Sequence, residues 1–182
     1  AASDGLVIGS GISIATNGGG IELSGEGGSG AGLSLGAGSS VDAGNSLVVI
    51  RAGNDGSSDA IRIGGSIASG MAVNLRPGGV DANGGLTERT ADEVLIGGGT
   101  AGFALSGAEL AMIDAPQLVI GSNLHAGAIR VLGATTRSGN LSLQNDGGSG
   151  GIDLQASLNV GSGTLALSSG GDITQAAAGA IT

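Results

Sequence analysis

The feature that most constrains this chain is a short pattern: an apolar residue, any residue, then a second apolar residue, bounded by Gly, Ser, Asn or Asp. It occurs as Leu6/Ile8, Ile12/Ile14, Ile21/Leu23 and Leu33/Leu35, then as Ile61/Ile63, Val73/Leu75, Leu118/Ile120 and Ile129/Val131. The last third continues it with Leu141/Leu143, Ile152/Leu154, Leu158/Val160 and Leu165/Leu167. Alternation with a period of two puts both apolar side chains on one face of a strand. Such runs are too short for helices and shorter than ordinary strands. One dyad buries too little to hold itself in place. Equivalent dyads stacked about 4.8 Å apart form a continuous parallel sheet, and several such sheets enclose a column of side chains.

A longer period supports stacking over hairpins. Leu95, Leu118, Leu141 and Leu165 follow one another at a near-constant spacing, with further strand candidates between them. The reading is an all-β fold, a right-handed parallel β-helix (β-solenoid), with about three short strands per coil of roughly 23 residues. Residues 1–182 form a single shaft of roughly eight turns at that period. Composition agrees. Phe103 is the only aromatic residue, so the core must be narrow and built from Ile, Leu, Val and Ala. The 41 Gly residues, with Asn, supply corners that need positive φ. Only two Pro interrupt the amides that must bond to the next coil. Disordered Gly-rich linkers lack such regular dyads. The segment Pro77–Glu93, PGGVDANGGLTERTADE, holds no dyad and reads as a loop leaving the shaft between Leu75 and Val94.

A formal net charge of −9, with no Lys and six Arg, argues against a nucleic-acid partner and an anionic membrane surface. No apolar run is long enough to span a bilayer, so membrane insertion as a helix is not expected. Without Cys there is neither a disulfide framework nor a thiolate metal site. The chain opens without a leader-like segment and reads as a mature piece or a fragment of something longer.

Three segments resemble the repeats of filamentous-haemagglutinin-like exoproteins of Gram-negative bacteria: LSGAELAMIDAPQLVIGS (105–122), AIRVLGATTRSGNLSLQNDGG (128–148) and GTLALSSGGDITQ (163–175). NLRPGGVDANGGLTE (74–88) has the same look, and the resemblance is firmest from Ala72 onward. It implies a right-handed parallel β-helix, export to the cell surface, and roles in adhesion, biofilm or filament formation. The Asn-Pro motif of that family's secretion domain is missing: Pro77 follows Arg76 and Pro116 follows Ala115. The chain therefore resembles shaft, not secretion domain.

Motifs that carry chemistry elsewhere have cheaper readings here. Gly97, Gly99 and Gly102 match G-x-G-x-x-G, with Asp114 downstream near the spacing of a ribose acid and FALSGAELAM as a possible helix. A Gly-rich chain makes that match by chance, and Gly25, Gly27 and Gly30 make it again. Gly32–Gly36 matches a nucleophile elbow, yet Ser34 lies inside an alternating strand. His125, the single His, is expected at a solvated corner. GGSGGIDL (147–154) resembles a calcium-binding nonapeptide, but Asp153 is displaced and should face solvent. Asp55, Asp59 and Arg62 read as a solvated corner ladder, and Asn140-Leu141-Ser142 as a corner rather than a glycosylation site. No catalytic, cofactor-binding or metal-ligating residue is assigned, no cofactor is expected, and the chain is not read as an enzyme.

The expected function is a structural shaft of a secreted cell-surface adhesin or exoprotein. The alternative is a filament subunit that stacks end to end through the open strands Leu6–Ile8 and GDITQAAAGAIT. A glycan-binding or glycan-cleaving β-helix ranks below both. The expected partners are other copies or flanking segments of the same protein, and a host or glycan surface. The expected location is extracellular or on the outer cell surface.

Overall fold

In the computed structural model, residues 3–81 and 83–182 are described. The chain winds into a β-solenoid of about seven turns. The first coil holds β1 (Leu6–Ile8), β2 (Ser13–Ala15) and β3 (Ile21–Glu26), one on each of three faces. The second holds β4 (Leu33–Leu35), β5 (Ser40–Asp42) and β6 (Val48–Gly53), and the third β7 (Ile61–Ile63), β8 (Ser66–Ala68) and β9 (Val73–Val80). An excursion follows, with β10 (Leu86–Glu88) and β11 (Val94–Ile96). The fourth coil is β12 (Phe103–Leu105), the short helix α1 (Gly107–Ala111), β13 (Ile113–Asp114) and β14 (Gln117–Ser122). The fifth is β15 (Ile129–Val131), β16 (Thr135–Thr136) and β17 (Asn140–Asn145). The sixth is β18 (Ile152–Leu154), β19 (Leu158–Asn159) and β20 (Leu165–Ser169). The last turn has β21 (Ile173–Gln175) and a bridge from Ile181 to Leu158.

Coil stacking follows from where the apolar residues fall. On the third face, β3, β6, β9, β14, β17 and β20 pair in chain order, and Leu118, Leu141 and Leu165 meet in register as their spacing predicts. That face and the first each turn two side chains inward per coil, for example Leu141 with Leu143 and Ile129 with Val131. The second face is narrower. Its strands β5 and β8 turn in one residue each, Val41 and Ile67, whereas in the sixth coil Leu158 and Val160 are both buried. Phe103 is buried in this otherwise aliphatic column.

Three expectations change. The coils number about seven, not eight. The early coils are longer than the later ones: Leu33 stacks on Leu6, and Ile61 on Leu33, across more sequence than separates Leu118 from Leu141. The excursion consumes most of another turn. Leu95 does not begin the Leu118 row; it lies on the first face, between Ala104 and Arg130, with Val94 and Ile96 turned inward. Finally, the segment 77–93, expected as a loop leaving the shaft, contains a β-hairpin. β9 continues through Pro77 to Val80 and pairs antiparallel with β10, with Leu86 opposite Val80 and Glu88 opposite Gly78. The Asp81 carboxylate accepts the amides of Asn83 and Gly85 and so closes the turn.

The excursion also reverses strand order. β11 is hydrogen-bonded to both β12 and β15, so on the first face the later strand β12 lies behind the earlier β11. Parallel neighbours normally need a long crossover connection. Here residues 97–102 make the return, and Gly97, Gly99 and Gly102 all take positive φ, which Gly tolerates best.

Candidate functional site

The hairpin concentrates the charge of the molecule. It holds Arg76, Glu88 and Arg89 beside the outward side chains of β3 and β6. Arg76 pairs with Glu88, Arg89 with Glu26, and Arg51 with Glu22. Arg51 meets Glu22 by charge alone, since its Nη1 makes no well-directed hydrogen bond. Arg89 also lies 3.7 Å from Asp92, and the Ser122 hydroxyl donates to Glu88 at 3.0 Å. Burial opposes ionisation of Glu88, but hydrogen bonds from Arg76 and Ser122 outweigh it and hold its carboxyl below the usual range. Burial, reinforced by Arg76, lowers the pKa of Arg51 against the pull of Glu88. Burial pushes Asp92 up, with Arg89 opposing and Glu26 adding to the rise. Arg51, Arg76 and Arg89 are thus paired within one patch that fastens the hairpin to the shaft.

Beside this patch lies a cleft of about 290 Å³. Asn54, Asp55 and Gly56 from the corner after β6 form one wall, and Arg89, Asp92 and Glu93 form another. Asn54 is buried and braces the corner: its amide donates to the carbonyls of Gly30 and Ser58, and its oxygen accepts from Gly56. Asn145 does the same three coils on, donating to Gly127, Gly150 and Gly151. The sequence reading missed both, although an Asn directly after a long strand of the third face, or at its end, is the signal they share.

The residues singled out in the sequence do not converge. Ser34 points outward from β4 in the second coil, while His125 belongs to the corner after β14 in the fourth. His125 is a correction: it is 2% exposed, not solvated, in a corner whose next two amides, those of Ala126 and Gly127, bond to the Thr90 carbonyl in the turn after β10. Its Nε2 has no partner, and burial lowers its pKa against the pull of Glu88. The Asp55 carboxylate accepts the Ser57 hydroxyl and amide. Asp59 has a buried oxygen without a partner, and Arg62 reaches toward Asp4 at 4.0 Å. Asp153 faces outward as expected and accepts from Gln155 and Thr174. Asp114 sits exposed at the end of β13, and Asn140 accepts the Thr164 amide from the next coil. Gly97, Gly99 and Gly102 lead into β12, and only then into α1, so they form the reversing loop described above. Gly25, Gly27 and Gly30 allow close approach of the first two coils; a Cβ on Gly25 would lie 2.0 Å from the Gly32 carbonyl.

Among the described residues no group of three His, Cys, Asp or Glu side chains is placed to hold a metal ion, and no helix is long and apolar enough to cross a membrane. The chain matches no protein-family model, no curated protein and no solved structure.

Proposed function

We propose that this chain is a structural shaft of a secreted cell-surface adhesin or exoprotein. The observation that supports it most is the third face, where six strands pair in unbroken order from β3 to β20. Backbone hydrogen bonds then run along the axis and an aliphatic column fills the centre, so bending or stretching must break many bonds together. The hairpin decorates this frame, and its paired charges offer a polar surface rather than an apolar one. A host or glycan surface is the partner such a shaft would present itself to.

A second reading, end-to-end assembly into a filament, is favoured by one specific observation. In the last turn, apolar side chains in register with the core stay exposed, Ile173 beside the buried Ile152 and Ile181 beside the buried Leu158. Strand edges with such side chains pair readily with another strand.

Electron microscopy of the purified chain at rising concentration separates the readings. Seven coils predict rods about 35 Å long. Rods that stay single support the shaft, fibres with that axial repeat move the filament to first place, and round particles sink both. Surface display has its own test: antibodies to the chain should label intact source cells. Labelling only after permeabilisation would overturn it.

A further inference from the structure

Between the fourth and fifth coils the three faces disagree. The first face carries the additional strand β11 between β12 and β15, whereas on the third face β14 pairs directly with β17 along its whole length. One extra strand is one extra step of about 4.8 Å on one face only. The second face cannot match both. β13 ends one sheet and β16 begins another, with no ladder between them. A cleft of about 320 Å³ separates them, walled by Leu110, Ile113, Asp114, Thr136 and Arg137.

Arg137 spans this gap. Its guanidinium donates to the Ile113 carbonyl at 3.2 Å and to the Ala115 carbonyl at 2.7 Å, taking the place of a missing strand. The rigid fork of Arg suits two parallel acceptors. The residue is 5% exposed, yet among the described residues no carboxylate lies within salt-bridge distance of its guanidinium. A buried, unpaired cation is a poor stabiliser, so this contact costs desolvation that a ladder would not. Burial accordingly lowers the Arg137 pKa, against the pull of Asp114.

We propose that the junction of coils four and five is a joint: the shaft opens at its second face, turning about the ladders that stay intact on the first face (β11–β15) and the third (β14–β17), and Arg137 is the latch that holds it closed. The use of such a joint, compliance under load, rests on the shaft reading; its existence does not. The chain has no Cys, so paired spin labels can be placed cleanly. Labels at Met112→Cys and Ser138→Cys straddle the gap, and labels at Asp42→Cys and Ala68→Cys straddle the intact β5–β8 ladder of the same face. With Arg137 present, the distance distribution across the gap should be about twofold wider than across the ladder, as expected for local opening. Arg137→Met should widen it further and leave the control pair unchanged. Equal widths at the two pairs with Arg137 in place would overturn the joint, and that measurement needs no latch variant to fold. Widening of both pairs alike in Arg137→Met would overturn the latch, because it reports general loosening. Neither outcome touches the shaft reading, which microscopy decides.

Discussion

His125 has a consequence that belongs to one residue. It is buried, its Nε2 is unpartnered, and desolvation lowers its pKa below the ordinary 6.5. The folded protein therefore keeps it neutral while the unfolded chain takes up a proton as the pH drops. Its contribution to stability is complete above about pH 6.5, falls as the pH descends from there, and levels off below the folded value. Urea midpoints measured from about pH 7.5 to 5.5 should decline for the wild type and much less for His125→Leu. Equal decline in both would show that other groups set the pH dependence. The carboxylates held low by hydrogen bonds, Glu88, Asp55 and Asp153, act at lower pH and stay outside this window. The burial of His125 was illegible in the sequence because SNLHAG reads as a polar corner. The two amides that follow it bond to the Thr90 carbonyl, far earlier in the chain and just past the hairpin.

At the scale of elements, the reversing loop between β11 and β12 is the most demanding piece of backbone. Gly97 has φ of 76°, and a Cβ there would sit 2.3 Å from the Gly133 carbonyl. Gly38 has φ of 70° at an open corner, with nothing within 4 Å of a Cβ. Gly38→Ala should cost about 1 kcal/mol from the left-handed backbone alone. Gly97→Ala adds a backbone clash and should cost at least about 2 kcal/mol more, read from denaturant midpoints. Similar losses would mean the loop can shift aside. Strands with two inward residues, such as β4, β14 and β17, could be read directly from their dyads. On the second face β5 and β8 could not, because SVD and SIA turn in a single residue, and a single apolar position has no period, whereas Ile12/Ile14 and Leu158/Val160 mark β2 and β19. The antiparallel β10 escaped for another reason: its residues Leu-Thr-Glu pair with Gly-rich backbone and are held by charges on distant strands.

At the scale of the whole molecule, each coil is stabilised mainly by its two neighbours, so position along the axis should set the cost of a core deletion. Ile120 in the middle is fully buried, while Ile173 in the last turn is 49% exposed. Ile120→Ala should cost about 2–5 kcal/mol by the usual loss of packing in a core, and Ile173→Ala less than about 1 kcal/mol. Comparable costs would mean that the last turn is covered in solution by another chain. By itself the sequence determined the architecture: aliphatic dyads too short to stand alone, a near absence of rings, and glycine corners leave stacking in coils as the way to bury apolar surface. It also determined the register of Leu118, Leu141 and Leu165, since a regular spacing repeats the same contact. Only the tertiary structure decided the break in that regularity. The place of β11 ahead of β12, the gap on the second face and the guanidinium of Arg137 across it depend on which strand edge is free when the hairpin has folded. That is a matter of non-local hydrogen bonding, and no local pattern of residues encodes it.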